Sequence, residues 1–301
     1  MENTLFVLGA HDPEMKKIEE LLYILGYSFS YALEGDTRTN VTNAYESEYF
    51  NFFQNNIIYI ECSSLYLSES SLSIDHHRLG DYGYDLDHNH FVEASSLGQF
   101  FKYVLENDFH YASTVLGLEI THRKDSLNPH MYFDNFWFLD TVNGTIKIPE
   151  EIVLISGIDH CLIDAYKGKC KGIDTDNLLE IRINQISKDL SVSTTSLLSL
   201  VEEYSNKLKY FGKIIDFTDD KIGEGIYSPE YLILRELAIS KNVPIAVKIV
   251  FNNLEKIMFL SLEKNEVENL LETKTYKNIN LENMFGVPNR GYAGGFIKKV
   301  S

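Results

Sequence analysis

Three short apolar runs of the chain each lead into residues with carboxylate or imidazole side chains. The runs are T-L-F-V-L-G-A at 4–10, N-I-I-Y-I-E-C at 56–62 and S-L-S-I-D-H-H at 71–77. Runs that are short and apolar throughout are typical of strands buried on both faces of a parallel sheet. Because open α/β sheets place their binding sites at the carboxyl ends of strands, the pattern predicts a parallel sheet with a polar site along one edge. A fourth run, I-V-L-I-S-G-I-D-H at 152–160, is predicted as a further strand that delivers Asp159 to this edge.

Helical patterns separate these strands. The segment 13–27 has apolar residues at helical spacing, and Asp12 is the expected N-cap. The segment 91–107 is predicted to turn into a helix capped by Ser95 or Ser96. The alternation of strands and helices predicts an α/β fold with a mostly parallel, doubly wound sheet.

With 301 residues the chain is long enough for two domains. We expect a metal-binding domain over 1–174, a helical connector over 175–212 and a smaller mixed α/β domain over 213–301. The connector is leucine-rich with helical spacing. In the last segment we predict strands in G-K-I-I-D-F, V-P-I-A-V-K-I-V-F and K-I-M-F-L-S-L-E, and helices in Y-L-I-L-R-E-L-A-I and N-E-V-E-N-L-L-E-T.

The charge of the chain limits the class of partner. Its net charge of -17, from 44 acidic and 27 basic residues, repels a polyanion at long range. We therefore expect no binding to long duplex nucleic acid, which usually leaves a basic track in the sequence. A small phosphate-containing substrate such as a nucleotide is compatible with this charge, and so is a homo-oligomer.

The apolar runs are too short to cross a bilayer, and the N-terminus lacks the basic region of a signal peptide. We therefore expect a cytoplasmic protein without a membrane partner. The three cysteines, Cys62, Cys161 and Cys170, are odd in number and lack Cys-x-x-Cys spacing. This pattern favours neither a disulfide framework nor a structural zinc site.

The polar residues at the predicted strand ends form a candidate metal site. Mixed carboxylate and imidazole ligands suit Mn²⁺, Fe²⁺ or Zn²⁺ better than Ca²⁺, which prefers oxygen ligands alone, and Mg²⁺ is a further alternative. One or two such cations would hold a phosphate and activate a water near neutral pH. The candidate residues are His11, Asp12, Glu14, Glu61, Asp75, His76, His77, Asp159 and His160.

Several candidates also have purely structural interpretations. Glu14 is placed to complement the dipole of the first helix, and Asp12 to cap it. Glu61 at a strand end is compatible with simple solvation, and His160 with a core histidine bonded to the backbone. The two histidines of D-H-N-H at 87–90, although spaced like metal ligands, are expected to be exposed loop residues.

The order of the motifs resembles that of the DHH phosphoesterase superfamily, which includes RecJ-type exonucleases, oligoribonucleases, cyclic-dinucleotide phosphodiesterases and family II inorganic pyrophosphatases. I-D-H-H-R at 74–78 matches the motif that names the family, and E-A-S-S-L-G-Q-F-F at 93–101 resembles the E-x-S-S-T-x-E-L stretch that follows it. The segment ending in Asp159 occupies the place of the fourth motif. F-G-V-P-N-R-G-Y-A-G-G-F at 285–296 resembles the glycine-rich signature of the family's C-terminal domain. Together these motifs span most of the chain outside the helical connector.

The resemblance implies roles for individual residues. His76 would ligate one metal and His77 would face the substrate phosphate. Asp75 would orient the two histidines from behind. Glu61 would bridge two metals, and Asp159 would complete the second site.

The first motif departs from the family pattern. Family members carry His-x-x-x-Asp-x-Asp or a related Asp-x-Asp pattern, whereas H-D-P-E at 11–14 supplies His11, Asp12 and Glu14 as candidate metal ligands. Glu61 also replaces an aspartate, which shifts its carboxylate by about one bond length. One metal, two metals and a catalytically inactive relative therefore stay open as alternatives.

Substrate-binding candidates follow the same motifs. Arg78 comes directly after the two histidines, and Arg290 has a planar guanidinium suited to phosphate. Gly291, Gly294 and Gly295 offer backbone amides that a ligand can approach closely. We therefore expect a hydrolase, a metal-dependent phosphoesterase acting on a small nucleotide or short oligonucleotide by two-metal activation of water. The alternatives are an inactive nucleotide-binding or sensor protein and a pyrophosphate or polyphosphate hydrolase.

Overall fold

The computed structural model describes residues 4–40, 43–47, 56–64, 72–78, 80–84, 86–121, 130–208, 214–220, 222–223, 225, 227–251, 254–288 and 291–298. The chain divides into two compact units, one of residues 1–165 with 169–173 and the other of residues 166–168 with 174–301. The first unit contains the I-D-H-H-R motif. The second contains the leucine-rich helical segment and the glycine-rich tail.

The elements of the first unit are β1 (Thr4–Leu8), α1 (Pro13–Ile24), β2 (Ser28–Tyr31), β3 (Leu33–Glu34), β4 (Thr37–Arg38), a 3₁₀ turn (Ala44–Glu46), β5 (Asn56–Ile60), β6 (Leu72–Ile74), α2 (Phe91–Ala94), α3 (Ser96–Val115), β7 (Ile120–Thr121), β8 (His130–Phe133), β9 (Phe136–Thr141), β10 (Gly144–Lys147) and α4 (Glu150–Tyr166). The strands predicted in the first three apolar runs and the helices predicted after the first and third are present, but β2, β3 and β4 were not predicted and no described helix separates β5 from β6.

Four of these strands form a parallel sheet in the order β2-β1-β5-β6. The chain passes from β1 to β2 on one side and then adds β5 and β6 on the other side. The carboxyl ends of β1 and β5 therefore flank a topological switch point, which is where open α/β sheets bind ligands. The prediction of an α/β fold with a parallel sheet is confirmed.

One face of this sheet is covered by helices. α1 packs against β2, α3 packs against β6, and the two helices pack against each other. Phe6 of β1 is fully buried, and its ring meets that of Phe100 edge-on at 5.5 Å. The opposite face carries a smaller buried cluster that includes Val7, Ala44 and Cys62. Both faces of the central strands are thus buried, which explains why their sequences are apolar throughout.

Polar caps fix the starts of α1 and α3. Asp12 Oδ1 accepts a hydrogen bond from Met15 N–H at 2.7 Å, and Ser95 Oγ accepts one from Gly98 N–H at 3.0 Å. Each cap satisfies a backbone donor that the helix itself leaves unpaired. The predicted caps are confirmed, with Ser95 rather than Ser96 at the start of α3.

The predicted strand at 152–160 is wrong, because this segment forms the middle of α4. A short apolar run does not distinguish a buried strand from a buried helix. Its buried residues recur at helical rather than alternating spacing, at Ile152, Val153, Ser156, Gly157 and His160. Non-helical dihedral angles interrupt α4 at Cys161 (φ -144°, ψ 43°).

The sequence prediction also missed four strands between α3 and α4. They form an antiparallel sheet in the order β7-β10-β9-β8. Asp134 and Asn135, with φ of 49° and 67°, form the two-residue turn between β8 and β9. Asp and Asn tolerate positive φ better than other side chains, so this pair is a hairpin signal that the sequence does contain.

The second unit begins with two helices and continues as a mixed α/β domain. Its elements are α5 (Thr175–Leu190), α6 (Thr194–Lys207), β11 (Ile215–Phe217), α7 (Pro229–Ser240), β12 (Ile245–Phe251), β13 (Leu254–Leu260), α8 (Lys264–Thr273), β14 (Thr275–Tyr276), β15 (Ile279–Val287) and β16 (Tyr292–Ile297). The strands and helices predicted between residues 175 and 273 are confirmed within the described residues, which leave out 209–213, and the sequence prediction missed β14, β15 and β16.

A six-stranded sheet in the order β11-β12-β13-β16-β15-β14 organises this unit. β11 and β12 are parallel, and the remaining neighbours are antiparallel. Leu197, Leu234 and Ile249 belong to one buried core, and Phe259 and Val267 belong to a second. Among the described residues, no helix has both the length and the apolar character needed to span a bilayer.

A buried ion-pair network lies on α7. Oε1 of the fully buried Glu236 is 2.8 Å from Nη2 of both Arg182 and Arg235, and Oε2 accepts a hydrogen bond from the Tyr166 hydroxyl at 2.9 Å. Burial alone would raise the pKa of Glu236, but the two guanidinium groups outweigh it and lower the pKa to about 2. The carboxylate is therefore ionised and paired in the folded chain.

Candidate metal centre

Four side chains converge at the carboxyl edge of the parallel sheet. Glu61, His76, His77 and Asp159 each offer a ligand atom, and these atoms all lie within 4.8 Å of one another. Glu61 follows β5, the two histidines follow β6, and Asp159 projects from α4. This group could hold a metal ion, because carboxylate and imidazole donors together suit divalent transition metals.

His76 lies at the centre of the group and is 2% exposed. Its Nε2 is 3.0 Å from Asp159 Oδ2, and its Nδ1 is 3.4 Å from the Ser96 hydroxyl and 4.0 Å from Glu61 Oε1. The ring of His160 meets the His76 ring edge-on at 5.2 Å. His76 is thus held by carboxylates on two sides and by packing on a third.

Asp75 holds the neighbouring histidine in place. Its Oδ1 accepts hydrogen bonds from the backbone N–H groups of His76 at 2.7 Å and His77 at 3.0 Å, and lies 3.1 Å from His77 Nδ1. The two imidazole rings stack at 4.2 Å. Burial would raise the pKa of Asp75, but the hydrogen bonds from His77 outweigh it and lower the pKa. Asp75 is therefore an ionised carboxylate buried behind the histidine pair.

His77 is the exposed member of the group, with 45% of its side chain accessible. Burial tends to lower the pKa of a histidine, but the charges of Glu61, Asp75 and Asp159 outweigh it and raise the pKa of His77 to about 10. Because Nδ1 faces Asp75, Nε2 is the atom left to meet a ligand.

Two carboxylates of the first motif join the same region from the start of α1. Glu14 is fully buried, and its Oε1 accepts a hydrogen bond from Leu97 N–H at 2.7 Å. Burial, followed by repulsion from Asp159 and Glu61, raises the pKa of Glu14 well above its ordinary value. Burial and Asp159 likewise raise the pKa of Asp12 to about 6.

The carboxylates repel one another in a way that a cation would relieve. Burial is the largest cause that raises the pKa of Glu61 well above its ordinary value, and Asp12 and Asp159 add to it. Among the described residues, Glu61 Oε1 is buried without a hydrogen-bond partner, whereas the Glu14 carboxyl is hydrogen-bonded to Asp159. Buried carboxylate oxygens of this kind are costly unless a donor or a metal satisfies them. Glu61 also adopts a left-handed backbone conformation (φ 50°), a conformation that concentrates at functional sites.

The start of α3 supports the site through Gln99, for which the sequence analysis predicts no role. Gln99 Nε2 donates hydrogen bonds to the carbonyl oxygens of Asp75 at 2.9 Å and Ala94 at 2.8 Å. Ser95 Oγ also donates to Ser156 Oγ of α4 at 2.8 Å. These bonds connect the I-D-H-H segment to α3, and α3 to the helix that carries Asp159.

His11 does not join the four-residue group. It is exposed, and its Nδ1 lies 3.3 Å from Arg38 Nη1. Arg38 in turn donates from Nε to the Gly9 carbonyl at 2.9 Å. The first motif therefore contributes carboxylates to the buried region, while its histidine contacts an arginine outside it.

Arg78 lies beside the site. Its guanidinium stacks over the Tyr45 ring at 4.0 Å, and its Nη2 is 3.5 Å from Asp81 Oδ1 and 4.0 Å from Asp75 Oδ2. With 42% of its side chain exposed, it remains accessible to an anionic ligand.

The remaining histidine interpretations are settled by their contacts. His160 is buried, with Nε2 2.9 Å from the Leu86 carbonyl, so its interpretation as a core histidine is confirmed. Both loop histidines are partly exposed; His90 lies 3.0 Å from Asp87, and His88 lies 3.6 Å from Asp164. Neither loop histidine belongs to the metal-ligating group.

The glycine-rich tail belongs to the second unit, where Gly294 and Gly295 are closely packed by neighbouring side chains. A Cβ on Gly294 would lie 2.5 Å from the Phe285 ring, and one on Gly295 would lie 2.2 Å from Met284 Sδ. Gly291 adopts φ 67° in the turn before β16. Arg290 lies outside the described residues.

Searches of protein-family models, curated proteins and solved structures found no significant match to this chain. The resemblance to the DHH phosphoesterases accordingly rests on the sequence motifs alone.

Proposed function

We propose that this chain is a metal-dependent phosphoesterase that hydrolyses a phosphodiester in a small nucleotide or short oligonucleotide. One observation carries the proposal: the side chains of Glu61, His76 and Asp159 converge, with His77, within 4.8 Å at the carboxyl edge of a parallel sheet. The motifs of the sequence, above all I-D-H-H-R at 74–78, resemble those of a superfamily of phosphoesterases and support the same class of reaction.

Glu61, His76 and Asp159 would hold one divalent cation, and Asp12 and Glu14 are the candidates to complete a second site. Nitrogen and oxygen donors in combination favour Mn²⁺, with Fe²⁺, Zn²⁺ or Mg²⁺ as alternatives. Such a cation, when bound, supplies positive charge to phosphate oxygens and makes water a nucleophile near neutral pH. The unpartnered oxygen of Glu61 supports this occupancy, since a cation would satisfy it.

His77 and Asp75 divide a second task between them. Asp75 fixes the orientation of the His77 ring through Nδ1 at 3.1 Å. This contact with Asp75 raises the pKa of His77 and favours its protonated form, in which Nε2 would donate a hydrogen bond to a phosphate oxygen. Arg78, half-exposed beside this pair, adds a second positive charge for the substrate.

The net charge of -17 favours a small substrate over a long nucleic acid. Pyrophosphate or polyphosphate would need a more strongly basic site. Among the described residues, the cations paired with Asp75 are Arg78 and protonated His77. A single phosphodiester with one negative charge suits this balance better than a chain of phosphates.

The test combines metal analysis with hydrolysis. The purified chain is loaded with Mn²⁺, its bound metal is measured by mass spectrometry, and hydrolysis of bis(p-nitrophenyl) phosphate is followed by absorbance. We expect His76→Ala to lose both metal and hydrolysis while keeping its circular dichroism spectrum. His90→Ala, which alters an exposed histidine outside the group, is the matched control and should keep both.

Two outcomes would redirect the proposal. Bound metal without hydrolysis of phosphodiester, phosphomonoester or pyrophosphate substrates would favour the inactive nucleotide-binding alternative. That alternative has some support in the altered first motif, whose His11 lies outside the metal-ligating group. Full hydrolysis by His76→Ala would instead place the active site elsewhere in the chain.

A further inference from the structure

Two of the three cysteines lie against each other at the end of α4. The Sγ atoms of Cys161 and Cys170 are 2.7 Å apart, and both residues are buried. A disulfide bond has an S–S distance of about 2.05 Å, so the two sulfur atoms lie within about 0.7 Å of bonding distance. Neither the number of cysteines nor their spacing predicts this pair.

Local structure holds the pair together independently of any bond between the sulfurs. α4 departs from helical geometry at Cys161 (φ -144°, ψ 43°). The loop that carries the second cysteine is framed by Gly168 and Gly172, whose φ angles of 71° and 84° suit glycine. Trp137 Nε1 donates a hydrogen bond to the Lys171 carbonyl at 2.7 Å and fixes the loop from the other side. Because the loop is already ordered, closing the pair covalently requires little further ordering of the folded chain.

We propose that Cys161 and Cys170 form a reversible disulfide that staples the end of α4 to the loop following it. Each thiol loses its hydrogen, and the two sulfurs together give up two electrons as the S–S bond forms. Hydrogen peroxide is one suitable oxidant: its O–O bond breaks, and it takes up the hydrogens and electrons to leave as two molecules of water. A small-molecule disulfide is another, since exchange through a mixed disulfide releases it as two thiols.

The staple would form without displacing the candidate metal centre. Asp159 precedes Cys161 by two residues, and its Oδ2 is 3.0 Å from His76 Nε2. The approach of about 0.7 Å that the bond requires can be taken up at the break in α4 and in the loop, both of which follow Asp159 in the chain. The staple is therefore a stabilising element rather than an inhibitory switch. It does not depend on the proposed phosphoesterase activity.

The third cysteine provides an internal control. Cys62 is fully buried, and its Sγ donates to the Val7 carbonyl at 3.3 Å. It belongs to the cluster on one face of the parallel sheet. A disulfide that involved Cys62 would require the first unit to open, so this thiol should stay reduced when the folded chain is oxidised.

The experiment uses the full chain treated with hydrogen peroxide or with oxidised glutathione. The oxidant is removed, the chain is unfolded, free thiols are blocked with a maleimide, and the products are identified by intact mass and peptide mapping. We expect only Cys62 to be blocked, with a linked peptide that joins Cys161 to Cys170. If the oxidised chain is reduced with dithiothreitol before the maleimide is added, all three cysteines should be blocked. Oxidation should also raise Tm by about 5 °C and leave the content of bound Mn²⁺ unchanged.

Matched variants separate the pair from other oxidation. Cys62→Ala should keep the linked peptide and the rise in Tm, whereas Cys170→Ala should lose both. If Cys170→Ala does not fold, the peptide map of Cys62→Ala decides the matter alone. Three blocked thiols after oxidation, a linkage through Cys62, or sulfinic acid in place of the linked peptide would each overturn the proposal.

Discussion

Glu14→Gln tests whether the buried carboxylates are held together against their own repulsion. Glu14 is fully buried, and burial together with Asp159 raises its pKa well above the ordinary value of 4.5. A glutamine keeps the oxygen that accepts from Leu97 N–H and replaces the second oxygen with an amide that can donate to Asp159. Without divalent cations, the variant is therefore expected to be more stable than the native chain.

The size of this gain depends on pH, and its sign follows from the direction of the pKa shift. A group whose pKa is higher in the folded chain favours folding at low pH and loses this contribution as the pH rises. The unfolded chain ionises Glu14 near 4.5, so the native chain loses up to ~1.36 kcal/mol for each pH unit above that value. At pH 7 the free energy of unfolding of Glu14→Gln should exceed that of the native chain by at most about 3 kcal/mol. Near pH 4.5 the two should be almost equal.

Urea unfolding in the presence of a chelator, at pH values from 4.5 to 7, measures this difference. Glu180→Gln changes an exposed glutamate of α5 and is the control, with no change expected. Adding Mn²⁺ should reverse the order, because the native chain gains about 2.7 kcal/mol at a hundred times the dissociation constant and the variant gains less. The reasoning is refuted if Glu14→Gln is the less stable chain at pH 7 without metal, or if Mn²⁺ stabilises both chains equally.

Three further changes test other parts of the structure. Gly9→Ala would place a Cβ 2.3 Å from the Glu61 carbonyl oxygen. We therefore expect the free energy of unfolding measured in urea to fall by about 2 kcal/mol, and a variant as stable as the native chain would contradict this close approach. The pKa of Glu236 is lowered from 4.5 to about 2. Its ionised carboxylate should therefore add about 3 kcal/mol to the free energy of unfolding above pH 4.5, and this contribution is lost as the pH falls toward 2. Glu236→Gln should lack this acid-dependent loss in unfolding experiments. Gln99→Met removes the donors to the Asp75 and Ala94 carbonyls and should weaken Mn²⁺ binding about tenfold in titration calorimetry, and unchanged affinity would show that the amide is dispensable.

The strand ends were predictable because their causes are local. The runs that become β1, β5 and β6 are apolar throughout, which identifies strands buried on both faces. Once these strands are parallel, the residues that follow them meet at one edge of the sheet, and Glu61 and His76 do so. The sequence pattern therefore predicts this part of the candidate site for a physical reason.

Asp159 shows where a local pattern is insufficient. The run that ends in it was predicted as a strand, but its burial follows the spacing of a helix with Glu150 and Glu151 in the first turn. Negative side chains at that position favour a helix, and they are the signal that distinguishes the two. Asp159 still meets His76, because α4 carries it to the same edge of the sheet.

Two other features depend on contacts between distant segments. His11 precedes Asp12 directly, yet it is exposed and contacts Arg38, which is 27 residues away in the sequence. Gln99 bonds to the Asp75 carbonyl across 24 residues. Because each contact joins residues that are far apart in the sequence, neither role could be predicted from local spacing or composition.

Anomalous diffraction from crystals grown with Mn²⁺ tests the central claim most directly. Data collected above and below the manganese absorption edge locate the metal independently of any other density. We predict an anomalous peak within coordination distance of Glu61, His76 and Asp159. The distance from this peak to Glu14 would show whether the first motif supplies a further ligand. A peak elsewhere, or its absence from a chain that binds Mn²⁺ in solution, would contradict the account.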